Sequence, residues 1–245
     1  MTKPPVLILG ARSDIGRAVA HAFAAEGHPI QLAARNAESL QPDATDITIR
    51  YNVAASVHDF DALDTAHHAA FLDHLPTLPE VAVCAVGLMG DQAENETDAG
   101  KAALVIRANF EGPALILGDL ANRFAARGSG TLVGISSVAG DRGRATNYVY
   151  GASKAGFTAF LSGLRNRLAK QGVHVVTVLP GFVNTRMTEG MDLPGGLTAE
   201  PQELGTAIVK AVEKKRNIIY VRPVWRLIMA IIRAIPEAVF KKLSL

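Results

Sequence analysis

A tyrosine and a lysine four residues apart are the first side chains in this sequence that could act on one ligand. Both lie in the stretch YVYGASK, residues 148–154, as Tyr150 and Lys154. The next segment repeats leucine and phenylalanine at helical spacing, so the pair is expected on one face of a helix, with Tyr148 pointing elsewhere. A phenol has an ordinary pKa of about 10, and an adjacent ammonium lowers that pKa, which suits proton donation near neutral pH. Such pairs are also common on helix surfaces without any role, so this one needs a site around it.

A turn with spaced glycines follows the first apolar run of the chain. VLIL at residues 6–9 is typical of a buried strand, and GARSDIG at residues 10–16 follows it. Glycine permits a tight turn and lets backbone N–H groups approach a phosphate, and a helix beginning near Ile15 directs its positive end to the same place. A plain strand-to-helix turn, with Ser13 or Asp14 as the helix cap, gives the same pattern. The position after the first strand favours a nucleotide site.

Two arginines near this turn bear on the choice of nucleotide. The second predicted strand ends in LAARN, where enzymes that bind NAD often place an acid for the ribose diol. Arg35 stands there instead, and Arg12 lies in the glycine-rich turn. Arginine pairs well with phosphate, so the two favour NADPH, with NADH as the alternative if they are only solvated surface groups.

Strands and helices alternate along the chain. The apolar runs that predict strands lie at residues 6–9, 29–34, 47–51, 80–86, 130–136, 172–180 and 218–221. This alternation predicts a parallel sheet covered by helices on both faces. No linker divides the chain, so we expect one α/β domain over residues 1–245, doubly wound in three layers, with its site at the carboxyl ends of the strands.

Composition narrows the class of protein. The chain has 245 residues, of which 49% are hydrophobic and 20% charged, as in a soluble α/β domain. Its one cysteine, Cys84, excludes an internal disulfide, and with no signal-like opening this predicts a cytoplasmic protein. His67, His68 and His74 cluster without cysteine or a well-spaced carboxylate, so no metal site is expected.

Six motifs in order and spacing resemble the short-chain dehydrogenase/reductase family. They are Gly10, Gly16, Asn109, ISS at 135–137, YGASK at 150–154 and PGFVNT at 180–185. The resemblance implies a Rossmann fold and an NAD(P)H-dependent ketoreductase with the catalytic residues Asn109, Ser137, Tyr150 and Lys154. By the same resemblance Tyr150 donates the proton, Ser137 holds the substrate oxygen, Lys154 lowers the pKa of Tyr150 and binds the nicotinamide ribose, and Asn109 holds a relay water. Ser136 is expected to be an ordinary strand-end residue, and Tyr148 to line the substrate mouth or to pack.

The same resemblance, with the two arginines, gives the predicted cofactor residues: Gly10, Arg12, Ser13, Asp14, Ile15, Gly16, Arg35, Asn52, Val53, Ala85, Val86, Gly87, Tyr150, Lys154, Pro180, Gly181, Val183 and Thr185. Three of these positions depart from the family pattern. Asp14 replaces a glycine, and an acid beside a pyrophosphate is unfavourable unless it caps the helix or pairs with Arg12. Residues 84–87 read CAVG instead of Asn-Asn-Ala-Gly, and Asn52 replaces an acid near the adenine.

The C-terminal segment, residues 223–245, is apolar at helical spacing and basic. Residues 210–245 carry nine Lys or Arg against two Asp or Glu, although the whole chain has a net charge of only +2. Pro236 should break the helix. The segment could lie on an anionic membrane, cover the domain's own core or pack in a dimer. With CAVGLMGD and NYVYGASKAGF it resembles the reductase subgroup that acts on a polyprenyl-phosphoryl 2-keto-pentose, which implies a lipid-linked substrate and a place at the inner membrane surface.

Several alternatives stay open from the sequence. The substrate could be another keto-lipid or a small ketone, or the protein could be a non-catalytic dinucleotide-binding regulator or a membrane-recruited partner of another enzyme. The family implies a homodimer through the helices after Asn95 and Tyr148. Nothing in the basic segment predicts binding to nucleic acid.

Overall fold

Seven parallel strands form the central sheet of the protein. A computed structural model describes residues 3–243, and the first two and last two residues of the predicted domain and tail lie outside that range. The strand order is β3-β2-β1-β4-β5-β6-β7. The strands are β1 (Val6–Leu9), β2 (Ile30–Ala34), β3 (Ala55–Asp59), β4 (Val81–Cys84), β5 (Gly130–Ile135), β6 (Val173–Pro180) and β7 (Ile218–Val221). The reversal between β1 and β4 makes the sheet doubly wound, as predicted.

Helices cover both faces of the sheet. They are α1 (Asp14–Ala25), α2 (Gln41–Tyr51), α3 (His68–Asp73), α4 (Gln92–Thr97), α5 (Ala99–Ile106), α6 (Gly112–Arg127), α7 (Tyr148–Leu168), α8 (Pro201–Glu213), α9 (Val224–Ala234) and α10 (Glu237–Phe240). One apolar core joins α1, α2 and α8 to the sheet, and a second joins α3, α6 and α7 to its other face. The three-layer α/β architecture is therefore confirmed.

The prediction of a strand at residues 47–51 is wrong. These residues form the end of α2, and the third strand begins only at Ala55. The alternation of Ile47 and Ile49 suggested a strand, but Ile47 is buried together with Ala44 on one helix face, and Ile49 is 78% exposed. The helix ends at Asn52, whose φ of 54° is the left-handed conformation typical of helix ends.

The C-terminal helices pack against the domain. Trp225 and Met229 on α9 are buried with Val138 and Leu179, so the inner face of α9 covers part of the protein's own core. Pro236 separates α9 from α10, which confirms the predicted break. Among residues 3–243, no helix has the length and apolar character needed to cross a membrane.

Candidate active site

The catalytic residues predicted from the sequence meet at the carboxyl edge of the sheet. Ser137 follows β5, and Tyr150 lies in the first turn of α7, where Ser137 is close enough to influence the pKa of its hydroxyl. Lys154 lies one helical turn further along, with its Nζ 5.7 Å from the centre of the Tyr150 ring. The structure thus brings the serine, the tyrosine and the lysine together.

The pKa of Tyr150 shifts in the direction opposite to the prediction. Burial raises it above the ordinary value of 10.0, and the hydrogen bond with Ser137 lowers it only in part. The sequence motif shows that a lysine is near the tyrosine, but it does not show how far the phenol is buried. Burial disfavours the charged phenolate and so raises the pKa. The raised pKa keeps the phenol protonated at neutral pH, so Tyr150 carries the proton that a donor must supply, but it is a weaker acid than the sequence predicted.

The amine of Lys154 is buried and, among residues 3–243, donates one hydrogen bond. Its residue is 3% exposed, and its Nζ donates to the carbonyl oxygen of Ile135 at 3.0 Å. Burial lowers the pKa of Lys154 from 10.5 to about 8, because an ammonium loses its hydration there. The side chain is therefore mostly charged at neutral pH, yet close to its titration point.

Asn109 lies in an irregular helical turn between α5 and α6. Residues Arg107–Glu111 form a π-helical turn, a feature found frequently at functional sites. The Asn109 Oδ1 accepts from the Leu88 N–H at 3.1 Å, and its Nδ2 donates to the carbonyls of Leu88 and Val105. A Cβ on Gly87 would lie 3.2 Å from this Oδ1 and 3.5 Å from the Lys154 Nζ, so Gly87 lies between both side chains. Asn109 thus fixes the segment that follows β4, while its role toward a water stays a prediction.

The two adjacent serines have different surroundings. The Ser136 Oγ donates to the carbonyl of Lys154 at 2.9 Å and bonds with the Thr158 hydroxyl at 2.7 Å, so it ties β5 to α7. The Ser137 Oγ accepts from the Ala139 N–H at 3.1 Å and faces Tyr150. The structure thus places Ser137, and not Ser136, beside Tyr150, while the role of Ser137 as the reactive serine stays a prediction.

The glycine-rich turn is shaped to accept a phosphate. Gly10 has a φ of +84°, and a Cβ there would lie 2.9 Å from the backbone of Ala85 and Val86, so a side chain would fill the turn. The Ser13 Oγ accepts from the Gly16 N–H at 2.9 Å and caps α1. The N-terminus of α1 is thereby directed at the turn, as a pyrophosphate requires.

Asp14 takes a partner that the sequence did not indicate. Its carboxylate neither caps α1, a task that Ser13 performs, nor pairs with Arg12. It accepts from the Nε of Arg186 at 3.0 Å and from the Arg186 backbone N–H at 2.9 Å. The expectation for Asp14 was therefore wrong in its partner, which lies in the loop after β6.

A cleft of about 500 Å³ runs along this edge of the sheet. It is lined by Gly10, Arg12, Ser13, Ala34, Arg35, Phe60, Asp61, Ala62, Leu63, Ala85, Val86, Gly87, Leu88, Leu104, Ala108 and Arg186. Arg12 donates to the carbonyl of Arg35 at 3.3 Å, and over residues 3–243 neither guanidinium forms an ion pair with a carboxylate. The cleft therefore offers a glycine turn, a helix N-terminus and, besides the paired Arg186, two arginines without a carboxylate partner, a set that fits a dinucleotide with a 2′-phosphate.

The family model described as short chain dehydrogenase matches residues 5–193. The chain belongs to the short-chain dehydrogenase family. An oxidoreductase of Mycobacterium tuberculosis, described as uncharacterized, is 37% identical over 244 residues, which cover 98% of this chain and 96% of that protein. An oxidoreductase of Streptomyces coelicolor, described likewise, is 35% identical over 248 residues and matches 98% of this chain and 96% of its own length.

Solved structures share the fold of this dehydrogenase. A short-chain dehydrogenase from Sphingobium yanoikuyae in complex with NADPH has a TM-score of 0.81 at 24% identity, covering 96% of this chain and 98% of that one. A variant of actinorhodin polyketide ketoreductase with NADPH has a TM-score of 0.78 at 23% identity, covering 89% of this chain and 95% of that one. With the matched family, they establish the chain as a short-chain oxidoreductase with a Rossmann fold.

Two predicted cofactor residues of the dehydrogenase lie at the wrong edge of the sheet. Asn52 ends α2 and Val53 precedes β3, so both are at the amino edge, away from the cleft. The residues that follow β3 and line the cleft are Phe60 and Asp61. Sequence reasoning missed them because it placed the third strand at 47–51, although the pattern ASVHD at residues 55–59 carried the correct signal.

The loop after β6 reaches the described cleft only through Arg186. Pro180 ends β6, Gly181 packs against the indole of Trp225, and Val183 is buried beside Ala199. Thr185 precedes the 3-10 turn that begins at Arg186. Contact of Pro180, Gly181, Val183 and Thr185 with a cofactor stays a prediction, as it does for Ile15 and Gly16 in α1.

Proposed function

We propose that this dehydrogenase reduces a ketone to an alcohol with NADPH. The observation that carries the proposal is the arrangement of Tyr150, which faces Ser137 and has Lys154 one helical turn further along α7, next to a cleft that fits a dinucleotide. NADPH, when bound, supplies a hydride to the carbonyl carbon. The residues of the chain have to hold the carbonyl oxygen and give it a proton.

Ser137 and Tyr150 perform this proton chemistry in the proposal. The Ser137 hydroxyl donates a hydrogen bond to the carbonyl oxygen and holds it within reach of Tyr150. As negative charge develops on that oxygen, the phenolic proton of Tyr150 moves to it, and the alcohol forms. The Lys154 ammonium, with a pKa of about 8, stabilises the phenolate that is left. Asn109 keeps the segment at Gly87 in place beside Lys154.

The preference for NADPH rests on the end of β2. No acid stands there to accept the ribose diol, and Arg35 and Arg12 are exposed at the same point of the cleft. The NADPH in the two structures described above, which share the fold, agrees with this preference. NADH remains the competing cofactor for the test.

The test is turnover of ketones, followed by loss of nicotinamide absorbance with NADPH and NADH in parallel. We expect faster turnover with NADPH, loss of turnover in Tyr150→Phe, and nearly unchanged NADPH binding in that variant. Tyr51→Phe is the control, because Tyr51 is the last residue of α2 and its hydroxyl contacts His21 and not the site; its turnover should equal that of the wild type. Full activity in Tyr150→Phe would exclude the mechanism, and cofactor binding without turnover on any ketone would favour a dinucleotide-binding regulator.

For the substrate, we propose a ketone on a polyprenyl-phosphate carrier, such as a 2-keto-pentose. The apolar and basic surface of the C-terminal helices supports this class, because it suits a lipid chain with an anionic phosphate. Other keto-lipids and small ketones are the competing substrates. Turnover of the polyprenyl-phosphoryl 2-keto-pentose, compared with its water-soluble sugar analogue, decides among them: equal efficiency on both would remove the lipid from the proposal.

Contact with an anionic membrane through α9 is the corresponding proposal for localisation. Val224, Leu227 and Ile231 form an exposed apolar row on α9, with Leu227 63% and Ile231 59% exposed. Four cations accompany the row and form no ion pair over residues 3–243, namely Arg226, Arg233, Lys241 and Lys242. An apolar row beside basic groups is the pattern of helices that lie in an anionic interface.

Point variants test this contact better than truncation, because Trp225 and Met229 are buried in the domain. We expect wild-type protein to co-sediment with vesicles containing phosphatidylglycerol, and Ile231→Glu to lose most of that binding. Ile49→Glu is the control, since Ile49 is also an exposed isoleucine, 78% against 59% for Ile231, but lies on α2. Equal binding by both variants would argue against α9 as the contact.

A homodimer is the proposed assembly. Leu104 and Ile106 on α5 and Leu115 on α6 are exposed apolar residues on helices after Asn95, which is where the family resemblance places the contact. Light scattering on the purified protein measures the mass, and Leu115→Glu should shift a dimer toward the monomer.

A further inference from the structure

Asp14 and Arg186 join two segments that are 172 residues apart in the chain. Asp14 is the first residue of α1, and Arg186 begins the 3-10 turn in the loop after β6. The Arg186 Nε donates to Asp14 Oδ1 at 3.0 Å, its backbone N–H donates to Oδ2 at 2.9 Å, and its Nη2 donates to the carbonyl of Arg12 at 2.7 Å. One arginine thus holds both the acid and the backbone of the glycine-rich turn.

The Asp14–Arg186 pair lies where a phosphate is expected to bind, and the negative charge of Asp14 is unfavourable there. The N-terminus of α1 and the turn before it form the part of the cleft that suits a phosphate. A carboxylate at the first position of the helix is favourable for the helix dipole, but it repels a phosphate at the same end. Arg186, which lines the cleft, supplies a positive charge next to that carboxylate.

We propose that Arg186 is a positioning residue for the cofactor, which neutralises Asp14 and holds the loop after β6 against the glycine-rich turn. The inference rests on the proposed use of NADPH. Without the Arg186 side chain, the Asp14 carboxylate beside the glycine-rich turn is uncompensated, and the loop loses the hydrogen bonds that the Arg186 Nε and Nη2 donate to the turn. When both side chains are neutral, Asp14 no longer repels the phosphate, so the cofactor should bind again.

A double-mutant cycle measured on NADPH binding tests this role. Wild type, Arg186→Gln, Asp14→Asn and the double variant are titrated with NADPH, and binding is followed by nicotinamide fluorescence. Removing one partner of a charge pair leaves the other charge uncompensated, and Asp14 is only 27% exposed, so we expect Arg186→Gln to weaken NADPH binding about tenfold at low salt. Asp14→Asn should bind like wild type within about threefold, and the double variant should recover most of the loss. The defect of Arg186→Gln should shrink at high salt, because salt screens the repulsion.

Two controls separate the possible failures. Arg50→Gln removes an exposed arginine–aspartate pair on α2 and should leave NADPH binding unchanged, and a melting temperature for each variant confirms folding. Wild-type binding in Arg186→Gln, or a double variant as weak as Arg186→Gln, would overturn the inference. Failure of the wild type to bind NADPH would instead overturn the proposed function, and the inference with it.

Discussion

Replacing Lys154 by methionine should stabilise the protein while it abolishes the activity. Burial moves the pKa of Lys154 from 10.5 to about 8, so holding the ammonium in the folded protein at pH 7 costs about 3 kcal/mol. Methionine fills a similar volume without the charge. However, methionine leaves the carbonyl of Ile135 without the donor that lay 3.0 Å away. This loss lowers the free energy of unfolding by about 1–2 kcal/mol.

The expected net gain is therefore about 1–2 kcal/mol at pH 7. For a chain of this size, that raises the melting temperature by roughly 3–6 °C. The direction in which the stability changes with pH follows from the lowered pKa of Lys154. Between pH 8 and pH 10.5 the unfolded chain binds more protons at Lys154 than the folded protein does, so the wild type gains stability as the pH rises through this window. Lys154→Met lacks that gain, and the difference between the two proteins should shrink toward pH 10.

Calorimetric melting of the protein without cofactor at pH 7 and pH 9.5 measures both effects. Lys170→Met is the matched control, because Lys170 is an exposed lysine just beyond the end of the same helix and should show neither effect. Turnover is measured alongside and should be lost only in Lys154→Met. If Lys154→Met melts below the wild type at pH 7 and the difference does not change with pH, the ammonium is not strained by burial and the reasoning is refuted.

Three further predictions concern the turn, the serines and the C-terminal segment. Gly10→Ala should destabilise the protein by about 1–3 kcal/mol and weaken NADPH binding, because its φ of +84° and the 2.9 Å approach to Ala85 leave no room for a Cβ; chemical denaturation and titration measure the two. Ser137→Ala should lower kcat by at least about a hundredfold. Ser136→Ala should keep kcat within a few-fold but lower the melting temperature by a few degrees, because Ser136 ties β5 to α7. Steady-state kinetics measures the first effect and thermal melting the second. Arg142→Ala should make residues 223–243 sensitive to trypsin, because its guanidinium donates to the carbonyls of Ile232 and Ile235, each at 2.6 Å; mass spectrometry of the cleaved chain locates the cut.

The sheet and the meeting of Ser137, Tyr150 and Lys154 at its carboxyl edge were predictable because their signals are local. Buried parallel strands read as short apolar runs, and six of the seven predicted runs contain a strand of the sheet. Tyr150 and Lys154 share a helix face at a fixed spacing, and Ser137 and Asn109 came from the resemblance. These conclusions need no knowledge of how distant segments pack.

The failures have a common cause in long-range contacts. ITIRY alternates like a strand, but Ile47 packs with Ala44 onto the sheet, and the misplaced strand put Asn52 at the cleft instead of Phe60. The pKa of Tyr150 depends on its burial in the folded protein, and the partner of Asp14 lies 172 residues away. Neither the pKa of Tyr150 nor the partner of Asp14 is encoded in a motif.

The C-terminal segment connects the proposed lipid surface to the reacting groups. Ser137 is followed by Val138, which packs with Trp225 and Met229 of α9, and by Arg142, whose guanidinium holds the end of α9 and lies 3.6 Å from the centre of the Phe240 ring. The Tyr220 hydroxyl donates to Asp141 at 3.1 Å in the same loop. A displacement of α9 must therefore move the loop that carries Ser137, since packed contacts of this kind transmit strain. If α9 lies on a membrane, the helix that contacts the lipid also holds the loop of Ser137, the serine that we propose holds the substrate oxygen, so Arg142→Ala should reduce turnover of a lipid-linked ketone in vesicles.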